Sequence, residues 1–285
     1  MKRLFFTLIT FLLFAVFTFA DDYETRAKAV RDTVWNWDMP MFKNRTIPDS
    51  YSKESAVVIA QYEEVNASGK SKLRFFTTLA FNKELYYTSI IRKLVKINDK
   101  SALEAFSEFS FTESKKILGF NSTNTLSTYI GARIIKSDGS IKEVNVNEAV
   151  KVSENKKGTE GYKKLAIPDL QVGDILDYFV QKDFKIDNEN VPQEYFIFSG
   201  RYPILDYKVH VELNKKLTAE YRSINNAPDF VKTEIDDVIN LDAEQQNIAK
   251  MEMVVWTAPY RQVPLIRLNI SKQRVKIHLQ TIFRP

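Results

Sequence analysis

The sequence contains no cysteine among its 285 residues. That absence excludes disulfide bonds, thiolate zinc sites, a lipid-modified N-terminal cysteine and every cysteine-nucleophile mechanism. Histidine is nearly as scarce, with only His210 and His278. A Ser-His-Asp triad would have to use one of them, yet no Gly-x-Ser-x-Gly elbow exists to present a serine. Both histidines alternate with apolar residues, which predicts solvent-facing or hydrogen-bonded sheet positions. A large excess of one charge is also missing: 41 Lys+Arg stand interleaved with 36 Asp+Glu, which predicts no nucleic-acid footprint. There is no fixed-period repeat and no low-complexity linker. With 44% hydrophobic and 27% charged residues, the composition rules out collagen, low-complexity disorder and a multi-span membrane protein. A chain of this length buries a core without staples.

What is present begins with an export pattern. Lys2 and Arg3 precede an uncharged stretch, Leu4 to Ala20, that ends in Thr18-Phe19-Ala20 and gives way to Asp21-Asp22. A basic start, an apolar stretch and small residues at the −3 and −1 positions predict a signal peptide over residues 1–20, cut after Ala20. The rival reading is an uncleaved anchor, since the stretch only touches the lower length limit for a membrane helix. Cleavage would leave an exported protein with no membrane span, in the periplasm, at the cell envelope or outside the cell. Residues 21–54 read as a short helix followed by a Trp-containing lead-in: Ala27, Val30 and Val34 recur at helical spacing, and Trp35-Asn36-Trp37-Asp38-Met39-Pro40 breaks the pattern.

From residue 55 to 285 the period is two. Strands are predicted at Ala56–Val65 and Leu73–Phe81 around a loop at Asn66–Lys70, and again at Ile90–Asn98. Ala102–Phe106 reads as a helical turn. Ser137-Asp138-Gly139-Ser140 between Leu126–Lys136 and Ile141–Val146 is the strongest hairpin signal, since Asp-Gly supplies positive φ. Pro168, Gly173 and Asp174 read as turn chemistry between two strands, with Tyr178 in the second. Further strands are predicted at Glu194–Phe198, Tyr207–Leu213, Leu217–Ile224, Phe230–Leu241, Met251–Trp256 and Arg274–Phe283. The fold class is mostly β, an antiparallel β-sandwich of one or two packed β regions, with few helices beyond the N-terminal one. The stretch 98–124 is the candidate internal boundary.

The hairpin Ser137-Asp138-Gly139-Ser140, the Gly161-Tyr162 pair, the block Leu165-Ala166-Ile167-Pro168-Asp169-Leu170-Gln171-Val172-Gly173-Asp174-Ile175-Leu176-Asp177-Tyr178 and the later Tyr202-Pro203 together resemble the domain-of-unknown-function family 3857. The resemblance spans about residues 55 to 270 and rests mainly on the Ile-Pro-x-Leu-x-x-Gly-Asp-x-Leu-x-Tyr block. It implies a β-sandwich module of exported bacterial proteins, usually placed just before a transglutaminase-like, papain-fold domain. Because that companion domain needs a cysteine, no catalytic residue transfers to this chain. Asp138, Gly139, Ser140, Pro168, Gly173, Asp174 and Tyr178 transfer only as structural residues of the motif.

Other candidate sites are sparse. Trp35, Trp37 and Trp256 are candidates for a ligand-stacking platform, against the alternative of core filling. Tyr86-Tyr87 and Tyr260-Arg261 are candidate surface groups. Asp236-Asp237 reads as part of an alternating strand, where neighbouring side chains diverge. Asp187-x-Glu189 reads as a solvated loop lacking the glycine and distal glutamate of a calcium loop. No cofactor and no metal is expected. The functional expectation is an exported, non-enzymatic module that binds a protein partner or a glycan. The alternatives are the N-terminal accessory part of a longer transglutaminase-like enzyme and, third, a carboxylate-dependent glycoside hydrolase.

Overall fold

The computed structural model describes residues 23–75, 79–119, 122–152, 162–187, 193–214, 217–251 and 261–272. The predicted signal peptide, Glu189, Trp256, Tyr260, His278 and the strand expected at Arg274–Phe283 lie outside them. In chain order come helix α1 (residues 23–35), β1 (Ala56–Phe75), β2 (Leu79–Ile97), α2 (Lys100–Ala105), β3 (Glu108–Phe111), β4 (Ser114–Gly119) and β5 (Ser122–Ile135). There follow β6 (Ile141–Glu143), β7 (Val150–Val152), β8 (Tyr162–Ala166), β9 (Ile175–Asp187), β10 (Glu194–Ile197) and β11 (Ile204–Asn214). The last are β12 (Leu217–Ile224), β13 (Val231–Ile235), β14 (Val238–Ile248) and β15 (Leu265–Lys272). Among the described residues, no helix is long and apolar enough to cross a membrane.

The protein is mostly β, as its period-two patterning predicts. The main sheet runs β13-β14-β11-β1-β2-β9-β5-β4, with β6 also paired to β5, and two three-stranded sheets, β10-β15-β12 and β3-β8-β7, accompany it. Among the described residues every strand pairing is antiparallel except β1 with β11, which makes the main sheet mixed. Strand register places Val58, Val65, Val95, Leu176, Ile134 and Val211 on one face of this sheet. They form a single core with Leu165 of one small sheet and Phe196, Leu217 and Leu268 of the other. The opposite face is covered by the N-terminal segment.

That covering follows from the spacing read in the sequence. Ala27, Val30 and Val34 are buried in one cluster with Ile90, Tyr129 and Phe179. Fully burying each valine is worth about 1.5–3 kcal/mol. Gly131 makes the close approach possible: a Cβ there would lie 2.3 Å from Phe179 Cε1 and 2.9 Å from Trp35 Cζ2. At the helix end, Arg92 donates to the Val34 carbonyl at 2.8 Å, satisfying a group that the terminus leaves without an intrahelical partner.

Two expectations need correction. Asn66–Lys70 is not a loop, because β1 runs through it, laddered by β2 as far as Phe75 and by β11 as far as Ala67. Pairing with β2 along its whole length overrides the local turn composition. Phe230–Leu241 is not one strand but part of a hairpin, reversing at Asp236 (φ 46°) and Asp237 (φ 69°). The alternation also went unread at β15, whose Ile266, Leu268 and Ile270 are buried between β10 and β12. The stretch 98–124 contains α2, β3 and β4, which pair with β8 and β5.

Candidate functional site

Along the core-facing side of β9, apolar residues alternate as Leu176, Tyr178, Val180, Phe184 and Ile186, with Lys182 as the one interruption. Register sets Lys182 directly between Ser89 of β2 and Thr128 of β5. The next row toward the chain start of β9 is Ile91, Val180 and Ile130. These two rows floor a cleft of about 550 Å³, and Phe109, Phe111, Tyr162 and Leu165 of the β3-β8-β7 sheet wall it. Phe109 packs on Tyr178 with ring centroids 4.7 Å apart. A concave, chiefly apolar site of this size with a few placed polar groups is the usual form of a small-ligand site.

Beside the cleft, the same face carries a polar cluster. Gln61 and Glu63 of β1 meet Lys93 of β2 and Tyr207 of β11 through register. Gln61 Nε2 donates to Glu63 Oε1 at 2.8 Å. Burial pushes the Glu63 carboxyl above its ordinary range, against the pull of Lys93. Burial also lowers Lys93, against the pull of Glu63. Glu194 on β10 is raised by burial as well, and it faces Tyr87, Glu63 and Lys182. The buried Tyr87 and Tyr207 hydroxyls neighbour Glu194 and Glu63 without full hydrogen-bond geometry.

The family-motif residues converge on a different place. Gly139 (φ 85°) turns the β5–β6 hairpin, and Asp138 Oδ1 accepts from the Ser140 amide at 2.8 Å and its hydroxyl at 2.7 Å. Gly173 (φ 98°) turns into β9, and Asp174 Oδ2 accepts from the Gln171 amide at 2.8 Å. The two turns are tied by lysines: Lys136 reaches Asp174 at 2.7 Å and the Asp169 carbonyl at 2.6 Å, and Lys142 pairs with Asp169. Pro168 is exposed between buried Ile167 and Leu170. Tyr178 alone among these residues reaches the cleft.

The remaining candidates scatter. Trp35 packs edge-on to Phe179 at 5.0 Å, lies 4.4 Å from the Arg133 guanidinium and donates to Glu143 at 3.2 Å. Trp37 packs edge-on to Tyr62 at 5.4 Å. Both are half-buried on the N-terminal side of the main sheet, and neither lines the cleft. His210 bonds Asp242 at 2.7 Å across β11 and β14, as a hydrogen-bonded sheet histidine. Tyr86 is exposed, whereas Tyr87 is buried, which corrects its reading as a surface group: it faces the core opposite Ala67. Asp187 closes β9 as a buried residue, not part of a solvated loop. Among the described residues, no three metal-capable side chains cluster. The cleft residues Ser89, Thr128, Phe109, Phe111 and Lys182 were not singled out from the sequence, although the lone lysine on an apolar alternating face marks one of them.

A three-sheet, mostly β domain with a ligand-sized cleft between the main sheet and a small one is the class this geometry defines. The chain belongs to DUF3857, a domain family of unknown function with solved structures, whose profile matches residues 86–264. No curated protein matches the chain. Its fold is similar to that of a protein from Parabacteroides distasonis described as a "putative protease", with a TM-score of 0.53 and 11% identity. That likeness covers 75% of this chain and 40% of the other. An M1 zinc metallopeptidase from Deinococcus radiodurans superposes at a TM-score of 0.33 with 10% identity, over 75% of this chain and 42% of that one. A superposition that loose says nothing about function. The chain spans less than half the length of either protein.

Proposed function

We propose that this domain is an exported, non-catalytic binding module of the bacterial cell envelope, and that its ligand occupies the cleft between the main sheet and the β3-β8-β7 sheet. The cleft itself carries this reading: about 550 Å³, floored by Ile91, Ile130 and Val180 and walled by aromatic rings. Among the described residues no Asp or Glu lines it, which speaks against the two flanking carboxylates of a glycoside hydrolase there. Among the described residues no serine or threonine lines the groove beside His210, so none stands there as a nucleophile for the His210–Asp242 pair. Export rests on the signal-peptide pattern of residues 1–20.

The domain acts, in this reading, as the accessory of a transglutaminase-like catalytic domain, carried on the same chain or supplied by a separate protein. The family resemblance motivates that association, and sequencing the DNA after the codon for Pro285 tests it. An in-frame Cys-His-Asp module supports the same-chain form, and a stop codon removes it.

The cleft is tested with 8-anilinonaphthalene-1-sulfonate, an apolar fluorescent probe. The folded domain is expected to bind one equivalent saturably, with binding weakened at least tenfold in Ile91→Trp, which fills the floor, and in Phe109→Ala, which removes a wall. Unchanged binding in both variants would overturn the assignment of the cleft.

A further inference from the structure

The cleft floor is asymmetric in a way that specifies chemistry. One row, Ile91-Val180-Ile130, is wholly apolar. The adjoining row, Ser89-Lys182-Thr128, sets two hydroxyl donors on either side of an ammonium group. Neighbouring strands lie about 4.8 Å apart, so the three donors fall within about 10 Å of one another, and the apolar row sits about 7 Å further along. Among the described residues, Lys182 is the only Lys, Arg, His, Asp or Glu that lines the cleft. It is exposed, and no ion pair within 4 Å satisfies it among the described residues. Glu194, which does not line the cleft, attracts Lys182 electrostatically, and burial raises its carboxyl above the ordinary range.

We infer that the cleft takes an amphiphilic anion, an unbranched acyl chain ending in a free carboxylate. Its chain lies on Ile91, Val180 and Ile130 against the Phe109 and Phe111 rings. Its carboxylate meets the Lys182 ammonium, with the Ser89 and Thr128 hydroxyls as flanking donors. The charge pairing is what selects the occupant: a neutral chain of the same length gains the apolar contacts but brings no anion to the ammonium, and a cationic one is repelled. Charge-assisted bonds of this kind are about twice as strong as neutral ones. This assignment rests on the cleft being the binding site.

The test is isothermal titration of the full chain with decanoate, decan-1-ol and decyltrimethylammonium. Decanoate is expected to bind at least tenfold more tightly than decan-1-ol, and the cation is expected not to bind. Lys182→Met is expected to bring decanoate down to the affinity of the alcohol and to leave the alcohol within about twofold of its wild-type value. Lys182→Arg is expected to keep most of the preference. Because Lys182 is exposed, these variants should fold, and Ile91→Trp serves as the control for location. Equal binding of decanoate and decan-1-ol, both lost in Ile91→Trp, would overturn the anion assignment and leave the cleft as an apolar site. Decanoate binding that survives Ile91→Trp would place the ligand elsewhere and overturn both readings, as would the failure of all three probes together with the anilinonaphthalene sulfonate.

Discussion

Arg92 and Asp177 form a two-pronged pair in the buried interior between α1 and the main sheet. Arg92 Nε meets Asp177 Oδ1 at 3.0 Å and Nη2 meets Oδ2 at 2.8 Å, with the two side chains 1% and 0% exposed. The third guanidinium nitrogen holds the Val34 carbonyl, and Arg133 adds a second cation to Asp177 at 2.8 Å. The Phe42 and Trp35 rings lie 4.1 and 5.3 Å from the Arg92 guanidinium. The N-terminal helix is thus joined to the sheet through a buried charge, not by apolar contact alone.

Breaking this pair from one side leaves uncompensated charge in the interior. Asp177→Asn is expected to cost about 3–5 kcal/mol, since two arginines lose their anion. Arg92→Met combined with Asp177→Leu is expected to cost less than Asp177→Asn, because no buried charge from this pair remains. Urea unfolding measures both. A loss below about 0.5 kcal/mol for Asp177→Asn would show that the pair does not secure the helix.

Gly131→Ala tests the close packing beneath that pair. Its new methyl would meet Phe179 at 2.3 Å, and overpacking of this kind costs about 1–3 kcal/mol. Adding Phe179→Leu should recover part of the loss, in a double-mutant cycle of thermal midpoints. Additive losses would mean that the ring is not what the methyl strikes.

The pH dependence of stability should carry the sign of Glu63. Its carboxyl is raised in the folded state, chiefly by burial, so folding favours the protonated form. That contribution is complete below the ordinary carboxylate range, and it is lost as pH rises through the folded value. Glu63→Gln removes this titration and keeps an acceptor for Gln61. The variant should therefore gain on the wild type as pH rises above the ordinary carboxylate range, read as about 2–4 °C in midpoint per 1 kcal/mol. A constant or shrinking difference would contradict the burial of the charge.

The turn between β13 and β14 should be improvable. Both Asp236 and Asp237 have positive φ, which Asn-Gly adopts more readily in two-residue hairpins. Replacing the pair with Asn-Gly is expected to stabilise the domain by about 1 kcal/mol. Destabilisation in the same urea assay would show that the aspartate side chains matter more than the backbone they occupy.

These cases show which features local sequence carries. Helix α1 was legible because Ala27, Val30 and Val34 both set the period and make the contact. The Asp138-Gly139 turn and the Pro168–Asp174 block were legible because their residue types act on their own backbone. Asn66–Lys70 misled because its strand character comes from its partners, β2 throughout and β11 as far as Ala67, and Asp236-Asp237 misled because aspartate lacks the plain turn signal of glycine. The cleft was least legible. Ser89, Thr128 and Lys182 come from three strands distant in sequence, and only the sheet register aligns them. A single trace survives in the chain itself, a lysine placed where β9 otherwise turns apolar side chains inward.

The most direct test of the binding face is amide chemical-shift mapping of the isotope-labelled protein titrated with decanoate. The account predicts saturable shifts centred on Ser89, Ile91, Thr128, Ile130, Val180 and Lys182, with Phe109 and Phe111 following. Shifts centred instead on the groove around His210 and Asp242, or spread without saturation, would contradict it.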